Sequence, residues 1–148
     1  MIKKIMPSTY FYLGVGLIIL VHFVFPISRI IYYPYILIGI FPILFGVIAD
    51  TLARSLFIKN KTTQKHSKMP DKFITKGIYK ISRNPMYLGM LSILLGESIL
   101  LGDLITFIFP LAFFIIINLF FIPPEEKNME KKFSKRYLQY KNKVRRWI

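Results

Sequence analysis

Residues 85–122 read PMYLGMLSILLGESILLGDLITFIFPLAFFIIINLFFI and are almost entirely apolar. They consist of two apolar runs, Pro85 to Leu101 and Leu104 to Ile122, with only Gly102 and Asp103 between them. The hydrocarbon core of a bilayer, about 30 Å thick, is crossed by a helix of about 20 mostly apolar residues. Each run is therefore predicted to cross a membrane. Because two connecting residues allow only a tight turn, the two helices are predicted to form an antiparallel hairpin.

Two more apolar runs precede this hairpin, from Tyr10 to Ile27 and from Ile31 to Phe57. The chain of 148 residues is 54% hydrophobic, and its apolar runs are too long for a soluble core of this size. The first run follows Lys3 and Lys4 as in a signal peptide, but no small-residue cleavage site follows it, so a retained helix is predicted. The sequence thus predicts an all-α integral membrane protein with about four transmembrane helices.

Basic residues are concentrated in two blocks that predict the topology. Of the 21 Lys and Arg residues, nine lie between Arg54 and Arg83 and nine between Lys127 and Arg146. Cytoplasmic connections of membrane proteins are enriched in Lys and Arg. A multi-pass chain with both termini in the cytoplasm is therefore predicted. The net charge of +14 then indicates a basic cytoplasmic surface that lies against anionic lipid. The lipid bilayer is therefore the expected partner, and nucleic acid is not.

The C-terminal tail has a helical pattern of its own. From Met129, apolar residues recur at steps of three or four among Lys and Arg, namely at Phe133, Tyr137, Tyr140, Val144 and Trp147. This pattern predicts a basic amphipathic helix that lies on the membrane surface, packs on the protein's own base, or does both. We therefore divide the chain into an N-terminal helix pair, residues 1–58, and residues 59–148, which hold a polar loop, the hairpin and this interfacial helix within one membrane domain.

A short motif stands where the chain enters the third apolar run. Asn84 is a suitable N-cap residue and Pro85 a suitable first helical residue, so the helix is predicted to begin there. A helix N-terminus attracts anions, Arg83 adds a positive charge, and Gly89 leaves room for close approach. The alternative is purely structural, because membrane helices commonly open with Pro beside an interfacial Arg and Tyr.

Two acidic residues, Glu125 and Glu126, follow Pro123 and Pro124, where the fourth membrane helix is predicted to end. In an antiparallel hairpin the start of the third helix lies beside the end of the fourth, so the motif beginning at Arg83 is predicted to meet these acids. A helix end that binds anions, opposite two carboxylates, suits a zwitterionic ligand. The alternative is that the acids only stabilise a helix N-terminus after the prolines.

The whole pattern resembles a known family. Its parts are Gly77-x-Tyr79, Arg83-Asn84-Pro85-x-Tyr87-x-Gly89, the hydrophobic hairpin, Glu125-Glu126, and then Phe133, Tyr137 and Tyr140. Over about residues 64–148 this order is similar to that of isoprenylcysteine carboxyl methyltransferases and the related phospholipid methyltransferases. The resemblance implies an integral membrane methyltransferase that uses S-adenosylmethionine and acts on a lipophilic acceptor, either an isoprenylcysteine-type carboxylate or a phospholipid amine. The cofactor-binding residues that it implies are Gln64, Asp71, Lys72, Phe73, Ile74, Tyr79, Arg83, Asn84, Pro85, Met86, Tyr87 and Glu125.

Two positions depart from the carboxyl methyltransferases. Asn84 stands where those proteins usually carry His. An Asn at this position resembles the phospholipid-type members instead. Phe121 stands where eukaryotic prenylcysteine enzymes place an Arg one turn before the glutamates, which argues against a prenylcysteine acceptor.

The predicted chemistry needs neither a metal nor an enzyme nucleophile. Methyl transfer from a sulfonium is a direct displacement that depends on alignment, and the chain has no Cys and only two His, so no metal site is predicted. An ammonium acceptor must first lose a proton, for which Glu126 and Tyr87 are the predicted catalytic groups. Two alternatives are a non-catalytic membrane scaffold or subunit and a sterol-reductase-like enzyme that uses NADPH. The short chain argues against the reductase.

Four polar residues lie within or at the ends of the apolar runs. Asp50 and Arg54, four residues apart, form either a self-satisfying ion pair or a substrate contact. Glu97 is either functional or placed near the outer interface, and His22 is expected to form a hydrogen bond between packed helices.

Overall fold

In the computed structural model, residues 6–25, 29–62 and 72–148 are described. The α-helices are α1, Pro7–Val24; α2, Ile40–Lys59; α3, Pro85–Leu101; α4, Ile108–Ile116; and α5, Ile122–Lys143. Short 3-10 helices lie at Tyr35–Gly39, Gly77–Lys80 and Leu104–Phe107, and a π-helical segment, Ile117–Phe121, joins α4 to α5. Because the only strand-like pairing in these ranges is an isolated bridge from Arg29 to Asp103, the predicted all-α class is confirmed.

The helices have the length and surface of membrane spans. Three continuous helical stretches, Pro7–Val24, Tyr35–Lys59 and Leu104–Lys143, are long and apolar enough to cross a bilayer, and α3 is a shorter apolar helix. Their outward faces carry large apolar side chains, such as Phe23 and Phe41, which are 77% and 73% exposed. Water would solvate such a surface poorly, whereas lipid tails match it. The prediction of a membrane protein is confirmed, although α1 begins before the predicted Tyr10.

The turn between α3 and α4 confirms the predicted hairpin. Gly102 adopts a left-handed backbone conformation, with φ of 77°, and its N–H donates to the Ser98 carbonyl and ends α3. The Gly102 carbonyl accepts the Ile30 N–H at 2.8 Å, so the α1–α2 connection lies at the same end of the bundle. The His22 side chain hydrogen-bonds Asp103 there, which is the packing role expected for it.

Glycines form the contact between α2 and α3. A Cβ atom at Gly46 would stand 2.5 Å from the Gly89 carbonyl oxygen, and one at Gly96 would stand 2.5 Å from the Gly39 carbonyl oxygen. Gly39, which ends the 3-10 helix that leads into α2, lies seven residues before Gly46, and Gly89 lies seven residues before Gly96 on α3, so each pair lines one face and allows the backbones to touch. This contact fixes the N-terminal helix pair directly on the half of the chain that carries the motifs.

The fourth membrane helix does not end at Pro123 and Pro124, so that boundary prediction is wrong. The chain passes through the π-helical segment and continues as α5, with the prolines in its first turn. Proline is tolerated in a first turn because the missing N–H would have no partner one turn back, and the preceding π-helical segment already interrupts the regular ladder. Val144 and Trp147 lie beyond Lys143, so the predicted apolar stripe ends on the helix at Tyr140.

The apolar face of α5 packs on the protein itself. The Phe73 ring lies 5.2 Å from the Phe133 ring, 5.7 Å from the Tyr137 ring and 5.3 Å from the Tyr140 ring, measured between centroids. Of the two predicted placements, packing on the protein's own base is therefore observed. The segment that begins at Lys72 is fixed to α5 by these contacts.

Candidate functional site

The start of α3 meets the start of α5, as the hairpin predicts. Arg83 Nη1 lies 3.2 Å from Glu126 Oε1, and the Tyr87 hydroxyl donates to Glu125 Oε1 at 2.7 Å. Antiparallel packing brings these residues together because α3 begins at the end of the bundle where α4 gives way to α5. The motif and the acidic pair thus form one cluster.

Asn84 and Pro85 take the predicted positions at the start of α3, as N-cap and first helical residue. The Asn84 side chain is used elsewhere, since its Nδ2 donates to the Arg146 carbonyl at 3.0 Å. Its backbone N–H donates to the Ser82 hydroxyl at 3.1 Å. Asn84 therefore holds the C-terminal tail beside the helix entrance.

Sequence reasoning missed the tail as a part of this cluster. The Arg146 guanidinium donates to Glu126 Oε1 at 3.1 Å, to Glu126 Oε2 at 2.9 Å and to Asn118 Oδ1 at 3.1 Å. Trp147 Nε1 also donates to Asn118 Oδ1, at 3.3 Å. The only available signal was Asn118 itself, a polar residue in an otherwise apolar run just before Pro123. That signal shows that Asn118 needs a hydrogen-bond partner, but it does not show which residue supplies it.

The two glutamates have different surroundings. Glu126 is 7% exposed and contacts three cations, Arg83, Arg146 and, at 3.8 Å, Lys141. Such pairing offsets the cost of burying its charge. Glu125 is less buried, and Tyr87 donates to one of its oxygens. Glu126 thus anchors α5 to the tail, while Glu125 faces the entrance of α3.

Tyr79 is buried in contact with α2 and α5. Its ring is 5.9 Å from the Phe57 ring, and its carbonyl accepts a hydrogen bond from the Tyr140 hydroxyl at 2.6 Å. Burial raises the pKa of the Tyr79 phenol, and the nearby Tyr140, Glu125 and Asp50 raise it further. The phenol therefore stays protonated and available as a donor, with carboxylates from α2 and α5 both within electrostatic reach.

Asp50 and Arg54 form the predicted ion pair, with Arg54 Nε donating to Asp50 Oδ2 at 2.6 Å. The other oxygen, Asp50 Oδ1, is buried and accepts no hydrogen bond from the described part of the chain. Asp50 lies against α3, since a Cβ at Gly89 would stand 3.3 Å from Asp50 Cβ. One carboxylate oxygen thus remains able to accept a hydrogen bond from a ligand.

Arg83 also has buried polar atoms without a hydrogen-bond partner among the residues described. Its side chain is 10% exposed, and its Nε and Nη1 atoms are buried without a hydrogen-bond acceptor among the residues described. The contact of Nη1 with Glu126 is electrostatic and lacks hydrogen-bond geometry. Buried donors of this kind are costly unless a ligand supplies acceptors.

The other predicted residues differ in their exposure, and two of them lie outside the described ranges. Met86 is half-buried on the first turn of α3, Ile74 is half-buried beside Phe73, and Lys72 is exposed. Gln64 and Asp71 lie outside the described residues. Glu97 lies in the half of α3 nearer Gly102, away from the cluster, and its Oε2 is buried without a hydrogen-bond partner in the ranges described. Those ranges contain no group of three His, Cys, Asp or Glu that could hold a metal ion.

Comparison with known proteins identifies the family. The model of the phospholipid methyltransferase family matches residues 34–136. The chain is 34% identical over 76 residues to protein-S-isoprenylcysteine O-methyltransferase B of Arabidopsis thaliana, a match that covers 49% of this chain and 37% of the plant protein. It is also 43% identical over 63 residues to an uncharacterized protein of Haemophilus influenzae, covering 43% of this chain and all of that protein. No solved structure matches significantly. Since the family match extends over more than half of the residues of this chain, the chain belongs to the phospholipid methyltransferase family.

Proposed function

We propose that the chain is an integral membrane enzyme that transfers a methyl group from S-adenosylmethionine to the amine of a lipophilic acceptor. The observation that carries this proposal is the 2.7 Å hydrogen bond from Tyr87 to Glu125, which joins the start of α3 to the start of α5 beside Arg83. Membership of a methyltransferase family supports the reaction class. The apolar outer faces of the helices support an acceptor that arrives through the bilayer.

The side chains around this hydrogen bond fit the cofactor. S-adenosylmethionine, when bound, supplies a methyl group on a positively charged sulfur, and it carries a carboxylate, an ammonium and a purine. The unused donors of Arg83 suit the carboxylate, and the Glu125 carboxylate suits a cationic group. The proposed binding set is Gln64, Asp71, Lys72, Phe73, Ile74, Tyr79, Arg83, Asn84, Pro85, Met86, Tyr87 and Glu125.

An amine fits the cluster better than a carboxylate acceptor. Phe121, at the position where prenylcysteine enzymes place an Arg, is 1% exposed and packs edge-on against Tyr10, with ring centroids 5.6 Å apart. It offers no charge to an acceptor carboxylate. Asp50 Oδ1, which has no hydrogen-bond partner among the described residues, would instead attract an ammonium and repel a carboxylate.

Glu125 and Tyr87 are placed to handle the proton of such an acceptor. An ammonium must lose a proton before its nitrogen lone pair can attack the methyl carbon, and we assign Glu125 to accept that proton with Tyr87 orienting the carboxylate. The sequence predicts a catalytic role for Glu126 together with Tyr87. In the structure, however, both Glu126 carboxylate oxygens accept hydrogen bonds from Arg146. We therefore propose that Glu126 acts by positioning α5 and the tail.

Cofactor binding is the first test. Calorimetric titration of the detergent-purified protein with S-adenosylhomocysteine is expected to show binding that Glu125→Gln weakens. Glu130→Gln is the matched control, because Glu130 lies on the same helix, is 35% exposed and pairs with Lys141 at 2.7 Å. A parallel titration with NADPH tests the reductase alternative, which predicts that NADPH binds and S-adenosylhomocysteine does not. If the wild type binds none of these compounds, the scaffold alternative replaces the enzyme proposal.

The second test determines which class of acceptor receives the methyl group. Transfer of labelled methyl groups is measured with a phosphatidylethanolamine and, in parallel, with a prenylated cysteine. We expect transfer to the amine, slowed by Tyr87→Phe by roughly tenfold or more when the rate is measured at saturating cofactor. Transfer to the prenylcysteine alone would contradict the choice of acceptor while leaving the reaction class intact.

A further inference from the structure

An open pocket lies where α5 approaches the 3-10 helix Gly77–Lys80. Its volume is about 440 Å³. The residues that line it are Phe73, Thr75, Lys80, Arg136, Gln139, Tyr140, Lys143 and Val144. Three of these are cationic, and no acidic residue is among them. The pocket therefore concentrates positive charge around a concave surface.

The three cations that line the pocket come from two elements of the fold. Arg136 and Lys143 are seven residues apart on α5, which places them on one face two turns apart, and Lys80 reaches the pocket from the 3-10 helix. In the described part of the chain none of the three forms an ion pair, whereas the neighbouring Lys141 contacts Glu130 at 2.7 Å. Three like charges around one cavity repel each other, and a bound anion would relieve that repulsion.

Part of the pocket lining is apolar. The Phe73 and Tyr140 rings are 5.3 Å apart, Val144 is buried, and the Tyr140 hydroxyl donates to the Tyr79 carbonyl. A ligand that uses the whole lining has an anionic group for the cations and an apolar part for these side chains. A phosphate ester attached to a carbon skeleton meets both conditions.

We propose that this pocket binds the phosphate head group of an anionic lipid. α5 follows the membrane helix α4 through the π-helical segment and is kinked at Ser134, where φ is 44°, so its last residues, which line the pocket, lie beyond the apolar segment of α4. Lipid phosphates are abundant at that depth and carry their apolar part with them. The site differs from the Tyr87–Glu125 cluster in its residues and in its charge, with Phe73 as the only residue shared with the proposed cofactor set.

The test compares two triple variants that remove the same charge. The pocket variant is Lys80→Gln, Arg136→Gln and Lys143→Gln. The control variant is Lys127→Gln, Lys131→Gln and Lys135→Gln, which removes three exposed lysines of the same helix that do not line the pocket. Binding of a short-chain phosphatidic acid to the detergent-purified protein is measured by native mass spectrometry and by thermal stabilisation. We expect the pocket variant to lose roughly tenfold or more in affinity and the control variant to stay within about threefold of wild type.

Three outcomes would overturn the proposal. Equal losses in both variants would show that the lipid responds only to net charge. Competition by inorganic phosphate or glycerol phosphate at the concentration of the lipid would identify a soluble anion as the ligand. A matching loss of S-adenosylhomocysteine affinity in the pocket variant would make the pocket part of the cofactor site. If the triple variant does not fold, Arg136→Gln alone is compared with Lys135→Gln, and the same outcomes apply.

Discussion

Arg146→Ala is predicted to loosen the end of the bundle that carries the candidate site. The substitution removes two hydrogen bonds to Glu126, at 3.1 and 2.9 Å, and one to Asn118, at 3.1 Å. Glu126 remains buried and retains Arg83 at 3.2 Å and Lys141 at 3.8 Å. The variant therefore leaves a buried carboxylate with weaker compensation but not isolated.

The expected loss follows from these contacts. A hydrogen bond to a charged group contributes about 1.5–3 kcal/mol, and breaking a fully buried ion pair costs about 3–5 kcal/mol. The Arg146 side chain is 32% exposed, so solvent screens part of its interaction, and two other cations still contact Glu126. We expect a loss of about 2 kcal/mol in the free energy of unfolding, which for a chain of this size lowers Tm by roughly 4–8 °C.

The assay is thermal unfolding in detergent, followed by circular dichroism. Arg145→Ala is the matched control, because Arg145 is the adjacent residue, its side chain is exposed, and it carries the same charge. Arg146→Lys keeps the charge but not the forked donors, and is expected to fall between wild type and Arg146→Ala. Equal Tm values for Arg145→Ala and Arg146→Ala would refute the reasoning, since the tail would then contribute only through its net charge.

Two further predictions concern the contact between α2 and α3 and the unpaired oxygen beside it. Gly46→Ala is expected to lower Tm, because its Cβ would stand 2.5 Å from the Gly89 carbonyl oxygen, whereas Gly16→Ala, with nothing within 4 Å, is expected to leave Tm unchanged or raise it. A Tm unchanged by Gly46→Ala would show that the helices separate without cost. Asp50→Asn is expected to raise the KM for an amine acceptor with little change in cofactor affinity, because the amide keeps an acceptor for Arg54 but loses the charge. A changed cofactor Kd with an unchanged KM would place Asp50 against the cofactor instead.

Local patterns explain why much of the fold was predictable. Apolar runs report helices that cross a bilayer, and a two-residue connection with Gly102 permits only a hairpin. From that hairpin alone it followed that Arg83 would meet Glu126, and the structure places them 3.2 Å apart. The ion pair of Asp50 and Arg54 was equally local, since residues four apart on a helix are neighbours.

The membrane helices, their order and the meeting of the motif with the acidic pair could be predicted from the sequence, because each depends on neighbours along the chain. Three features became visible only in the packed structure: the helical path through Pro123, the return of the tail that places Arg146 between Glu126 and Asn118, and the Asp50 oxygen that has no partner among the described residues. These features depend on the direction in which α5 leaves the π-helical segment and on how closely the glycines let α2 approach α3. Neither quantity is set by any single stretch of sequence, so both emerge only when the helices are packed together.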